Sequence, residues 1–316
     1  MLSFTDQLGR IITISGKPNR IISLVPSQTE LLFDLGLEKE VVGITKFCVH
    51  PAEWLRNKTI IGGTKKVKLE LIDQLQPDLI IANKEENVQA QVEELAKHYP
   101  VWVSEVNTLA NALHMISELG RITSTNEKAT IIIKEIEQRF NELEIIKARL
   151  KEPRISKKEL KKEGPIEGGK EDQDNLNERF NKITGLSLKD SALAPPDSKP
   201  ATNNSTAYLI WKDPYMTPGG DTFINDMLQY CGLSNAFSLL SRYPVISIDQ
   251  LQTSHLQYLL LSSEPYPFSS KHIKELQQQL PAAKIILVDG EMFSWYGSRL
   301  LQSPLYFKEI MKLLRQ

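Results

Sequence analysis

The sequence predicts an α/β protein of two lobes, each built on a parallel sheet, joined by one long helix. Three observations carry this reading. Short β-branched apolar runs alternate with amphipathic helical patterns in both halves of the chain, which is the signature of parallel sheets with crossover helices. A helical pattern from Ser124 to about Leu150 is far longer than a crossover needs. At 316 residues the chain has room for two cores.

The first unit spans residues 1–123. Ile21, Ile22, Leu24 and Val25 form an apolar run suited to a strand covered on both faces. Pro26 stops it. Ser27 or Thr29 can cap a helix carrying Leu31, Leu32 and Leu35, and Gly36 ends that helix. Val41, Val42 and Ile44 begin the next strand. A short helix at 69–75, a strand in Pro77–Asn83, a helix at 88–99 and a strand at 101–106 follow. The long helix occupies 124–150, with Ser124 and Glu127 as a capping box and Ile131, Ile132, Ile136, Phe140, Leu143 and Ile146 as its apolar positions. At 1.5 Å per residue it is roughly 40 Å long, enough for a strut between lobes.

Residues 151–205 differ in composition. A Lys/Glu-dense stretch is followed by a Pro-, Ser- and Asn-rich one. Such a segment cannot bury enough apolar surface to offset its ordering entropy, so it reads as a disordered insertion. The second unit, 206–316, repeats the alternation: AYLIW, then a helix in 221–230, LQYLLLSS, a helix at 271–279, AKIILVDG and a helix at 305–314. IDQLQ occurs at 72–76 and again at 248–252. With the shared element order it suggests an internal duplication.

A net charge of −1 steers the molecule toward neither nucleic acid nor anionic lipid. No apolar run is long enough for a membrane span. MLSFTDQLGR has neither a basic start nor an apolar core, so it does not read as a secretory signal. That leaves a cytosolic protein, or one whose signal was cleaved or omitted. The two cysteines, Cys48 and Cys231, fall in different units and read as unpaired thiols. Cys48 and His50 stand close enough to share a metal, but further ligands are not evident, and no metal site is expected. Walker, GxGxxG, HExxH and nucleophile-elbow motifs are absent, so no catalysis is expected. What clusters instead are aromatic and polar residues at strand ends: Phe47; Tyr215 and Met216; Arg242, Tyr243 and Pro244; and the run from Glu291 to Arg299. Two facing α/β units bind ligands at such ends.

RIISLVPSQTELLFDLG, IIGGTKKVKLELIDQLQPDLIIAN and TPGGDTFINDMLQYCGLSNAF, together with the long helix, resemble the substrate-binding proteins of ABC importers for cobalamin and iron-siderophores. The resemblance covers nearly all of residues 3–150 and 206–316 and lies nearest to cobalamin binders. It implies a class III periplasmic-binding-protein fold with a ligand cleft between the lobes. It further implies a monomer that captures a corrinoid or another metal chelate as transported ligand. The protein would have no cofactor of its own and would deliver its ligand to a permease dimer with separate ATPase subunits. It would be periplasmic or membrane-associated. The implied cleft positions are Phe47, Thr64, Met216, Tyr243, Glu291, Phe293 and Trp295, with Ser27, Lys65, Tyr215 and Tyr296 beside them. Glu70 and Asp249 match two carboxylates, one per lobe, that dock on permease arginines. As first-turn acids they would also favour their helix dipoles. The family departures are Thr64 in place of a tryptophan, Trp295 in place of an arginine, and the insertion. A siderophore or haem binder is the alternative within the class. An enzyme on a doubled α/β scaffold, such as a metal-cluster oxidoreductase, is the alternative outside it, and it would need more cysteine ligands than two.

Overall fold

The computed structural model describes residues 1–151 and 204–315. The expected insertion, apart from its two ends, lies outside the described residues. The chain opens with an antiparallel hairpin, β1 (Leu2–Thr5) and β2 (Ile11–Ile14). Its turn is held by Asp6, whose carboxylate accepts from the Leu8 and Arg10 amides at 2.9 Å each. The sequence pattern does not reveal this hairpin, because its two strands are only four residues long each.

The first lobe is a five-stranded parallel sheet in the order β5-β4-β3-β6-β7. Its strands are β3 (Ile21–Ser23), β4 (Val41–Ile44), β5 (Thr59–Ile60), β6 (Leu79–Asn83) and β7 (Val101–Ser104). Helices α1 (Pro26–Asp34), α2 (Trp54–Asn57), α3 (Leu69–Leu75), α4 (Gln89–Ala96) and α5 (Leu109–Ile122) intervene or follow. Every residue of β6 and β7 is buried, as a sheet covered on both faces requires.

Pro26 is the first residue of α1 rather than a strand terminator, and Val25 is its N-cap without a side-chain bond. Ser27 and Thr29 therefore do not cap. The Thr29 hydroxyl instead donates back to the Val25 carbonyl at 2.9 Å, one helical turn earlier. Gly36, at φ +81°, ends the helix as expected.

The long helix α6 runs from Asn126 to Lys151. Ser124 is not its cap: it sits before the helix in the left-handed region, at φ +59°. Ile132, Ile136, Phe140 and Leu143 are buried, while Ile131 is exposed. Phe140 meets the second lobe edge-on at Tyr230, with ring centroids 4.9 Å apart. The guanidinium of Arg139 donates to the Leu301 carbonyl.

The second lobe has a four-stranded parallel sheet, β11-β10-β8-β9. Its strands are β8 (Ser205–Leu209), β9 (Ser234–Asn235), β10 (Tyr258–Ser262) and β11 (Lys284–Val288). Its helices are α7 (Phe223–Tyr230), α8 (Ile248–Thr253), α9 (Ser270–Gln279), α10 (Glu291–Ser294) and α11 (Ser303–Leu314), with a 3₁₀ turn at Ser298–Leu301. Side chains alternate between faces along each strand. Tyr208, Leu260 and Val288 join a core continuous with the first lobe, and Ala207, Leu209, Leu259 and Leu261 form a second core on the opposite face.

The IDQLQ match is out of structural register. Glu70 and Asp249 each stand second in their helices, whereas Asp73 stands fifth in α3. The shared element order, not this pentapeptide, supports duplication. Removing the Phe140 ring should cost about 3–5 kcal/mol. Urea unfolding of Phe140→Ala should show that loss; a loss under about 1 kcal/mol would mean that α6 is not packed on the second lobe through this ring.

Candidate functional site: an acidic, aromatic seam between the lobes

Both sheets turn the C-terminal ends of their strands toward one seam. Two adjacent carboxylates dominate the first lobe's side: Glu85 and Glu86, on the loop after β6. Glu85 accepts from the Tyr243 hydroxyl at 3.0 Å and pairs with the Arg242 guanidinium. Glu86 accepts from the Tyr296 hydroxyl at 3.3 Å. Farther along, Arg299 grips Glu30 of α1 with two nitrogens at 2.6 and 3.1 Å and reaches Glu291 at 3.3 Å. His50 lies 3.1 Å from both Glu291 oxygens and meets the Trp295 ring edge-on. Each of these pairs except Arg299–Glu291 crosses between the lobes.

The second lobe's loops are shaped for this role. Gly219 and Gly220 of the TPGG run let the 238–242 backbone approach, since a Cβ at Gly220 would stand 2.0 Å from the Ser238 carbonyl oxygen and one at Gly219 would stand 2.2 Å from that of Leu240. The approaching segment carries Arg242 at φ +61°, a costly conformation for a side chain of this size. Asp221 accepts from its amide and the Gly219 amide donates to its carbonyl at 2.7 Å. Arg242 and Tyr243 are thereby delivered to Glu85. The loop after β10 supplies Glu264, which accepts from the Ser294 hydroxyl at 2.8 Å and the Trp295 indole at 2.9 Å.

Burial pushes the carboxyls of Glu30, Glu85 and Glu264 above the usual range. It pushes Glu86 from 4.5 up to about 7, partly offset by the Tyr296 hydroxyl.

The expected cleft positions sort into four groups. Tyr243, Glu291, Trp295 and Tyr296 lie at the seam. Ser27 is buried beside Tyr296, and Lys65 donates to the Glu85 carbonyl at 2.5 Å. Phe47, Thr64 and Met216 occupy neighbouring loops: Phe47 is half-exposed against Gly63, the Thr64 carbonyl accepts from Asn87, and Met216 bridges to Val245. Two positions are corrected. Phe293 is fully buried among Tyr208, Tyr306 and Phe307, because an apolar ring one turn into α10 points back at its own sheet. Tyr215 packs on the second lobe's outer core. Glu70 and Asp249 are exposed in the first turns of α3 and α8.

Cys48 is a buried thiol held by the Thr29 and Thr45 hydroxyls at 3.0 and 3.2 Å, and Cys231 is a buried thiol directed at the Phe307 carbonyl at 3.8 Å. His50 faces Glu291 instead. No group of three metal-ligating side chains occurs among the described residues.

Sequence reasoning missed Glu30, Glu85, Glu86 and Glu264. The signal was available for Glu85 and Glu86, since two consecutive acids directly after a buried strand stand at the ligand-facing end of a parallel sheet.

A family model described as periplasmic binding protein matches residues 21–157. A vitamin B12-binding protein of Vibrio campbellii is 24% identical over 250 residues, covering 78% of this chain and 72% of that protein. An uncharacterised ABC transporter substrate-binding lipoprotein of Bacillus subtilis is 28% identical over 147 residues, covering 45% of this chain and 46% of that protein. Among solved structures, the periplasmic vitamin B12 binding protein of Vibrio cholerae superposes with a TM-score of 0.67 at 17% identity, covering 95% and 99% of the two chains. A periplasmic haem-binding protein from Roseiflexus gives 0.68 at 16% identity, covering 94% and 99%. The fold is the class III periplasmic-binding-protein fold. Among the described residues no helix is long and apolar enough to cross a membrane.

The raised Glu86 has a pH consequence for folding stability. Tyr296, Glu264, Lys65 and Glu85 face it. A carboxyl raised on folding binds its proton more tightly in the folded state, so its contribution is fully present below pH 4.5 and is lost as pH rises to about 7. The loss is about 3 kcal/mol. Glu86→Gln should remove this slope, and urea unfolding between pH 4 and pH 8 measures it. Parallel profiles for wild type and variant would refute a buried Glu86.

Proposed function

We propose that this chain is the substrate-binding component of an ABC importer, and that it captures a corrinoid or a similarly neutral, amide-bearing metal chelate between its lobes. The observation that carries this reading is the chemistry of the seam. Glu85, Glu86, Glu264 and Glu291 surround Tyr243, Trp295 and Tyr296. Broad planar chelates gain from such rings, roughly 0.5–1.5 kcal/mol each beyond buried area. Ionised carboxylates accept several hydrogen bonds, which suits peripheral amides. Arg242 and Arg299 each offset an acid, but Glu30, Glu85, Glu86, Glu264 and Glu291 outnumber the cations at the seam, which weighs against a carboxylate-bearing haem or a trianionic siderophore. The similarity to vitamin B12-binding proteins over most of the chain supports the same choice. The metal-cluster enzyme alternative would need more cysteine ligands than Cys48 and Cys231, which are buried in separate lobes.

In this reading Glu70 and Asp249 are exposed docking acids for permease arginines, and ATP hydrolysis belongs to other chains. Reversing both charges should abolish transport and leave ligand affinity unchanged; a fall in affinity would place them in the pocket. Calorimetry with cobalamin, haem and a ferric hydroxamate identifies the ligand. Cobalamin should bind, and Tyr243→Ala with Trp295→Ala should weaken it at least tenfold, about 1.4 kcal/mol. Heat with none of the three would refute the ligand class, and heat with the hydroxamate alone would establish the siderophore reading instead.

A further inference from the structure

The loop bearing Glu85 and Glu86 is framed by two buried asparagines in the run Asn83-Lys84-Glu85-Glu86-Asn87. Asn83 is 1% exposed and Asn87 7%. The Asn83 Oδ1 accepts from the Glu85 amide at 2.8 Å and the Glu86 amide at 3.1 Å, an Asx turn that fixes both backbones. Its Nδ2 donates to the Ser104 carbonyl and hydroxyl at 3.2 and 3.0 Å, anchoring the turn to β7. Asn87 closes the frame from the other end. Its Oδ1 accepts from the Asn83 amide at 2.8 Å, and its Nδ2 donates to the Thr64 carbonyl at 3.0 Å and toward that of Leu24 at 3.4 Å. Two side chains thus tie together the loops that follow β3, β5 and β6, and the end of β7.

We propose that Asn83 and Asn87 are positioning residues of the binding site: they hold Glu85 and Glu86 where Tyr243 and Tyr296 meet them, and hold the Thr64 loop alongside. Neither touches the seam directly. A carboxylate on a free loop would swing into water, whereas one whose backbone amides are spent on a buried acceptor keeps its place. The loop's backbone adds two bonds, from the Lys84 amide to the Ser104 carbonyl at 3.0 Å and from the Asn87 amide to the Asn83 carbonyl at 3.1 Å, but neither engages the Glu85 or Glu86 amide. Lys65 reaches the Glu85 carbonyl from the exposed side, and Lys84 pairs outward with Glu105 at 2.5 Å. Replacing either asparagine leaves buried partners unmet, the costly outcome for a closed polar network.

The consequence for ligand affinity rests on the proposed function, but the placement of the acids does not, and the experiment separates the two. In the ligand-free full chain, the Glu86 carboxyl is titrated by carbon-13 NMR. The midpoint should stand near 7 in wild type. In Asn83→Ala it should fall by at least about one unit, as the loop opens to water. Asn83→Ser keeps a hydroxyl that can accept from the amide two residues on, and it should fall by less; it decides the matter if the alanine variant does not fold. Ile136→Val, a core change away from the loop, should leave the midpoint in place while lowering stability. Then cobalamin affinity is measured in a cycle of Asn83→Ala against Glu85→Gln with Glu86→Gln. Asn83→Ala should cost at least tenfold in the wild-type background and less than threefold once both acids are gone. An unchanged midpoint in a folded variant, or equal losses in both backgrounds, would overturn the proposal. If wild type binds no cobalamin, the corrinoid reading fails and the titration alone decides the placement of the acids.

Discussion

The seam depends on two neighbouring carboxylates kept away from bulk water. Glu85 and Glu86 take the hydroxyls of Tyr243 and Tyr296 and the guanidinium of Arg242, all from the opposite lobe. Each contact would be weak on an open surface, where exposed ion pairs contribute about 0–1 kcal/mol. Desolvation changes their weight, because breaking a buried pair leaves an unmatched charge behind. The raised position of Glu86 expresses the same constraint: its carboxyl is held where ionisation is unfavourable. Arg299, nearly buried between Glu30 and Glu291, repeats the pattern farther along.

These contacts are fixed at several points by backbone geometry. The second lobe's 3₁₀ turn comes so close to α1 that a Cβ at Gly297 would lie 2.4 Å from the Ser27 carbonyl oxygen. α6 packs onto the same lobe through Phe140 and through Arg139, which reaches the end of that 3₁₀ turn at the Leu301 carbonyl, and the Leu109 amide donates to Asp226 at 2.7 Å. The core runs without interruption from the first sheet through α6 to the inner face of the second. Lobes tied by a continuous core, a long helix and a charged seam have little room to hinge, which distinguishes this arrangement from one joined by flexible strands.

Much of the fold was legible because parallel strands buried on both faces leave uninterrupted apolar runs, as in LIIAN and YLLLS. The long helix was legible from its period. The caps were harder: Ser124 and Ser27 are good cap residues by type, yet the chain uses Val25 before α1 and places Ser124 in a left-handed turn. Backbone path, not propensity, decided those ends. The aromatics of the seam could be read from position after strands, but Phe293 and Tyr215 could not be told from them, since an aromatic ring at a strand end packs equally well inward or outward. The acids were overlooked because charged residues in loops are usually solvated. Only the tertiary fold brings Glu85 beside Arg242, 157 positions away along the numbering.

The central claim is that the seam and α6 hold the lobes at a nearly fixed separation. Small-angle X-ray scattering of the full chain with and without saturating cobalamin tests it most directly. The account predicts superimposable profiles at low and intermediate angles, with the same radius of gyration within error. A clear contraction on adding cobalamin, of the kind produced by hinged lobes closing on a ligand, would contradict it.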